Sequence, residues 1–258
     1  MSALHTYSFG AVDGPEILAL HGLTGHGKRW KDLATEQLPG ARWICPDLRG
    51  HGRSPWTPPW NLESHVVSLI ETLDAHARGP VLVVGHSFGG ALALHLSRAA
   101  PDRVRGLVLL DPAIGLDPGF LAEVADLTIS SPGYTDVDEA RAEKVHGSWG
   151  EVPPEVLERE IDEHLTTMEN GRVNWRVSTP AVVTAWGELA RDFVLPPAHL
   201  PTVLAQASKV QPPYVTPAFR SALTEHLGDN LTAVDVECDH MVPLARPEEV
   251  AGLVLALL

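Results

Sequence analysis

Val81-Leu82-Val83-Val84-Gly85-His86-Ser87-Phe88-Gly89-Gly90 runs directly into Ala91-Leu92-Ala93-Leu94-His95-Leu96. An apolar, β-branched run stops at glycines, and a helix-forming run starts at once. The reading is strand, sharp turn, helix, with Ser87 at the turn. Gly85-His86-Ser87-Phe88-Gly89 fits the G-x-S-x-G pattern of a nucleophile elbow. The spacing has a physical cause. The serine takes a strained backbone conformation to lift its hydroxyl off the sheet. A Cβ at the flanking glycines would strike the neighbouring strand or helix. The helix behind Ser87 aims free N–H groups at the site, which suits a developing oxyanion.

An activated serine needs a base, and the base an orienting acid. The candidate base is His240, in Cys238-Asp239-His240-Met241-Val242-Pro243. It follows the last predicted strand and precedes the last helix, at the strand ends where open α/β sheets gather their sites. A second signal is His21-Gly22-Leu23-Thr24-Gly25. A loop leaving a strand here offers a backbone N–H opposite the one after the serine. That predicts an oxyanion hole from the N–H groups of Leu23 and Phe88.

Outward from the elbow, short apolar strands alternate with helices. Strands are expected at 4–9, 16–20, 41–45, 81–86 and 104–110, and again at 201–207 and 231–238. Helices are expected at 30–38, 62–77, 91–100, 217–227 and 247–258, with Asn61 as an N-cap for the second. This is the signature of a parallel sheet covered on both faces. The rhythm breaks after Pro112. Residues 113–200 read as helical throughout (120–129, 137–145, 154–168, 181–190), with no convincing strand. We read them as a lid inserted between two core strands, because they are too few for a confident core of their own.

Bulk composition excludes several classes. The 258 residues suffice for one large α/β domain, and a net charge of −14 gathers nothing basic to meet nucleic acid or an anionic membrane. Thirteen acidic and three basic side chains fall between Asp117 and Glu163, so the lid holds most of that charge and weakly disfavours highly anionic substrates. The two cysteines, Cys45 and Cys238, lie far apart with no metal-ligand spacing, which suits reduced core residues in a cytoplasmic protein. Met1 to Tyr7 lacks the charge and apolar run of a signal peptide, and no run reaches the roughly 20 residues of a membrane span.

The chain resembles the α/β-hydrolase family. The resemblance covers 1–112 and 201–258. It rests on His21-Gly22 with Trp30 after it, the turn Asp47-Leu48-Arg49-Gly50-His51-Gly52-Arg53-Ser54, the elbow, and His240. It implies an eight-stranded, mostly parallel sheet, a helical cap over 113–200 after the sixth strand, and a Ser-acid-His triad. The 47–54 turn is a structural signature in that family and is given no catalytic part. The chain departs from the pattern at the acid. Most members carry Asp or Glu after the seventh strand, where this chain has Ala207-Ser208-Lys209-Val210-Gln211-Pro212-Pro213-Tyr214-Val215. Some members hold the acid at the end of the sixth strand, and there this chain has Asp111. Asp111 is therefore the expected acid, with a Ser-His dyad as the alternative.

A serine at the elbow implies an acyl-enzyme, and no metal or organic cofactor is needed. The expected activity is hydrolysis of small to medium acyl esters by a monomer or homodimer. A C–C hydrolase, an amidase or peptidase, or a perhydrolase would use the same residues. A non-catalytic ligand-binding homologue is the reading from another class. His86 is expected to pack beneath the site. His26 is expected either to line the pocket or to face solvent. Trp30, Trp149, Trp175 and Trp186 are expected in core or cap packing rather than as substrate platforms.

Overall fold

The computed structural model describes residues 3–258. Seven strands form one sheet: β1 (Thr6–Gly10), β2 (Glu16–Leu20), β3 (Arg42–Pro46), β4 (Val81–His86), β5 (Val104–Leu110), β8 (Thr202–Ala207) and β9 (Leu231–Val236). Their order is β1-β3-β2-β4-β5-β8-β9, and only the β1–β3 pair is antiparallel. The eight strands implied by the resemblance are thus corrected to seven among the described residues. The alternation in the sequence itself counts seven, and the sheet's edges are β1 and β9.

The apolar strands are explained by burial on both faces. Leu18, Leu20, Val83, Leu107 and Leu109 face one side, packed on helices α1 (Leu62–His76), α2 (Phe88–Ala99) and α7 (Pro217–Leu227). Ile17, Ala19, Leu82, Val84, Val108 and Leu110 face the other, against Trp30, Leu33, Val250 and Val254. Each strand thus alternates between two cores with the period of two that the pleat imposes. Helix α1 begins at Asn61, whose side chain accepts from the Ser64 N–H, as its N-cap position requires.

Two expectations about local structure hold only in part. Residues 30–37 are helical but not one regular α-helix: a 3-10 turn over Gly27–Trp30 passes through 31–32 into a π-helix over Leu33–Gln37. There the backbone must follow contacts of its glycine: a Cβ on Gly27 would lie 2.2 Å from the Cys45 carbonyl oxygen. The stretch after β5 is not all helical. It carries α3 (Pro118–Ser130), α4 (Val137–His146), α5 (Pro154–His164) and α6 (Thr179–Leu189), but also an antiparallel hairpin, β6 (Leu165–Thr167) with β7 (Val173–Trp175). The signal was Asn170-Gly171, a hairpin dipeptide, with Gly171 at φ 80°. The β-branched Thr166 and Thr167 favour the strand over continuation of α5.

The 47–54 turn holds this upper layer down. Gly52 N–H donates to Arg176 O (2.8 Å), Ser178 N–H donates to Gly50 O (2.7 Å), and His51 bridges Val177. Gly50, at φ 77°, must be glycine: a Cβ there would lie 2.3 Å from the Ala181 Cβ. Buried Asp47 ties the turn, accepting from Gly27 N–H (2.7 Å) and Arg53 N–H (2.8 Å).

Candidate active site

The C-terminal ends of β4, β5, β8 and β9 converge, and each delivers one group. β4 delivers Ser87 in a backbone conformation that L-residues rarely adopt, φ 55° and ψ −121°. Such a conformation costs of order 1–3 kcal/mol and persists only where its surroundings fix it. Four bonds do so: Ser87 N–H to Leu110 O (3.1 Å), and Gly90, Ala91 and Ala113 N–H to Ser87 O (2.9, 3.3 and 3.2 Å). The flanking glycines permit it. A Cβ on Gly85 would come 2.5 Å from the Gly89 carbonyl oxygen, and one on Gly89 2.2 Å from that of Leu20.

β5 delivers Asp111, fully buried and also at positive φ (42°). β9 leads to His240, whose Nδ1 lies 2.6 Å from Asp111 Oδ2. β8 supplies no carboxylate; its last residue, Ala207, donates a backbone N–H to Asp111 Oδ1 (3.1 Å). The place of the usual acid is thus taken by an amide that holds the other acid. Beyond it, Tyr214 packs its ring 4.4 Å from that of His240. Burial, then Asp111 and Asp239, raise the Tyr214 pKa, so the phenol is neutral there.

Ser87, His86, His240, Gly22 and Leu23 line one cavity of about 220 Å³. Among the described residues no hydrogen bond joins the Ser87 hydroxyl to the His240 ring, and free hydrolytic sites often tighten this contact only around substrate. Leu23 and Phe88 N–H groups donate to no protein acceptor among the described residues. The Phe88 amide opens helix α2, where the first N–H groups lack intrahelical partners. Gly22 brings the other loop close, since a Cβ there would sit 2.9 Å from the Ser87 Cβ.

Two buried histidines, His86 at the cavity wall and His21 behind it, set this geometry. His86 Nε2 is 2.7 Å from the His240 carbonyl oxygen. Burial, then the neighbouring His240, hold its pKa well below the ordinary value, so it is a neutral donor. The sequence marks His21 only as the start of the loop that offers the Leu23 N–H. Its Nδ1–H donates to Gly22 O (2.8 Å) and its Nε2 accepts the Leu48 N–H (3.0 Å), joining the Leu23 loop to the 47–54 turn. Burial, then His51, keep it neutral, as that pairing demands.

The roof was less legible. His26 neither lines this cavity nor faces solvent; it is buried, with Nε2 2.9 Å from Glu160 Oε2. Arg29 clasps the same carboxylate through Nε and Nη2. Trp30 lies in the core, and Trp175 in the upper layer. Trp149 and Trp186 pack in that layer too, yet both line the cavity. Of the acidic side chains between Asp117 and Glu163, Glu143 alone lines it among the described residues, whereas Arg29 and Lys144 do as well. The acidic balance of this segment therefore does not describe the wall that faces Ser87. No group of three or more metal-ligating side chains is found among the described residues, and no helix among them is long and apolar enough to cross a membrane.

Comparison with known proteins agrees with this architecture. Lipase LipV of Mycobacterium tuberculosis (strain ATCC 25618 / H37Rv) is 49% identical over 251 residues, which are 97% of this chain and 96% of that protein. The sn-1-specific diacylglycerol lipase ABHD11 of Mus musculus is 31% identical over 186 residues, 66% of this chain and 59% of the other. A marine microorganism esterase superposes with a TM-score of 0.80 at 20% identity, covering 99% of each chain. The family model for the alpha/beta hydrolase family matches residues 17–253. On that match and on the 49% identity along nearly the whole chain, the protein belongs to the alpha/beta hydrolase family and is a hydrolase.

Proposed function

We propose that the protein is a serine hydrolase that cleaves carboxylic esters of small to medium acyl chains through an acyl-enzyme. The observation that carries this is the 2.6 Å contact of His240 Nδ1 with buried Asp111, in the cavity where strained Ser87 lies. The names of the two relatives, both lipases, support ester chemistry.

In this reading His240 Nε2 takes the proton from Ser87 Oγ as that oxygen attacks the ester carbonyl carbon. The carbonyl oxygen becomes an oxyanion held by the Leu23 and Phe88 N–H groups. Asp111 fixes the ring with its proton on Nδ1 and stabilises the imidazolium. Collapse breaks the bond to the alkoxy oxygen, which leaves with the proton from His240. Water then attacks the acyl-enzyme with His240 again as base, giving the carboxylic acid and free Ser87. None of these steps calls for a cofactor.

Residues 1–112 and 201–258 form the core in this proposal, and 113–200 the cap over the acyl pocket. Free, buried Cys45 and Cys238 fit a cytoplasmic setting. The test is a fluorophosphonate probe with aryl esters of graded chain length. Wild type should be labelled and turn them over, and Ser87→Ala should do neither. Labelling of Ser87→Ala, or an unlabelled wild type, would overturn the reading.

A further inference from the structure

Lys144 sits near the end of α4 and reaches into the Ser87 cavity. Its Nζ lies 4.9 Å from the Trp149 ring centroid and 4.4 Å from that of Trp175. Two indole faces therefore fix the ammonium by cation–π attraction, which uses none of its three N–H donors. No carboxylate oxygen comes within salt-bridge distance of it among the described residues. Of the nearby acids, Glu160 is held by Arg29 and His26, while Glu143 lines the same cavity and forms no ion pair with Lys144 among the described residues. The Arg29 guanidinium also lies over the Trp149 ring, 5.1 Å from its centroid. Arg29 spends Nε and Nη2 on Glu160 and the Thr24 carbonyl, and its Nη1 has no hydrogen-bond partner among the described residues.

A half-buried ammonium with unused donors is costly in the free protein, and an anion entering the cavity would offset that cost. We infer that Lys144, with Arg29 beside it, forms an anion subsite for a carboxylate or phosphate carried by the substrate itself, beyond the scissile ester. The inference rests on the ester-hydrolase reading and narrows its substrate class to acidic esters. Burial, and then Arg29, push the Lys144 pKa down to about 7, which is the expected behaviour of a cation waiting without its partner. The anion has two possible sources, the acyl side or the alcohol side, and paired substrates separate them.

Monophenyl glutarate against phenyl valerate places the acid on the acyl side. 4-Carboxyphenyl acetate against 4-methylphenyl acetate places it on the alcohol side. Wild type should favour one acidic ester over its neutral partner in kcat/KM by about 10- to 100-fold, the worth of a charge-assisted hydrogen bond. Lys144→Met, which keeps an apolar stem between the indoles, should erase that ratio, and Lys144→Arg should keep most of it. Glutarate should also compete with phenyl valerate in unaltered protein far better than glutaramide does, which needs no variant to fold. A ratio near one for both acidic esters in wild type, or a ratio that survives Lys144→Met, overturns the subsite. Loss of the serine-hydrolase reading would look different: no ester of either kind turned over and Ser87 unlabelled.

Discussion

Two buried carboxylates each pair with a histidine. Near Ser87, Asp111 Oδ2 lies 2.6 Å from His240 Nδ1; away from it, Glu160 Oε2 lies 2.9 Å from His26 Nε2. The partners of each carboxylate separate them. Glu160 is clasped by the Arg29 guanidinium, so a full positive charge already answers it. Burial pushes its pKa up, but Arg29 and then His26 outweigh this and hold it well below the ordinary value. Asp111 receives a backbone N–H from Ala207 and no cation. Its charge is left for an imidazolium, and the His240 ring lines the Ser87 cavity. The His26 ring instead stacks on buried His164, with centroids 4.3 Å apart. In the proposed mechanism a histidine beside an acid transfers a proton only where the acid is otherwise unneutralised and the ring's far nitrogen meets solvent or substrate. The Glu160 pair is a clamp between the core loop at 26–29 and α5.

The sharpest way to break this contrast is to neutralise each acid in turn. Asp111→Asn should cut kcat for an aryl ester by about 10³- to 10⁴-fold, because the amide offers His240 the wrong tautomer. Thermal denaturation should show the fold retained. Near-normal turnover would remove Asp111 from the proposed triad and leave a Ser-His dyad.

Glu160→Gln should do the reverse. It strands Arg29, which is 8% exposed, without its countercharge. Loss of one partner from a buried pair costs about 3–5 kcal/mol, and urea unfolding should report it. Turnover by the folded protein should change little. The sign with pH follows from the depressed pKa. In wild type this contribution is whole above the ordinary Glu value of 4.5 and is lost as pH falls through the lower folded value. The variant's stability should therefore fall less steeply on acidification than that of wild type.

The same contrast explains what the sequence discloses. Ser87, Asp111 and His240 stand at strand ends, and glycines that admit no Cβ mark the elbow among them. Such constraints act through the backbone within a few residues, so they leave a local pattern. Their limit is Ala207: nothing local says that its N–H serves Asp111, because the two residues lie 96 positions apart. The upper layer is fixed by long side chains meeting across the chain, as with Arg29 and Glu160, 131 positions apart. No spacing rule reaches that far. His26 could be misplaced for that reason, and charge counted along 117–163 gave the wrong sign for the cavity wall. The β6–β7 hairpin was legible in Asn170-Gly171, but flanking helical periodicity masked strands of three residues each.

The smallest effect tests whether Lys144 belongs to the site or to the clamp. If its charge reads substrate, the preference for an acidic ester must follow its titration. With a pKa of about 7, Lys144 in the free enzyme is mostly ammonium at pH 6 and mostly amine at pH 8. The parameter kcat/KM reports the free enzyme, so the acidic-to-neutral ratio should fall by about tenfold over that interval. The ratio cancels His240, which serves both substrates alike. Glu160 stays charged and His164 neutral, since both are held well below their ordinary values. Glu143 lines the same wall, and Glu143→Gln should leave the direction of the change intact while moving its midpoint down, because a neighbouring negative charge is lost. A ratio flat from pH 6 to pH 8 would place the charge that reads the acid on Arg29 alone.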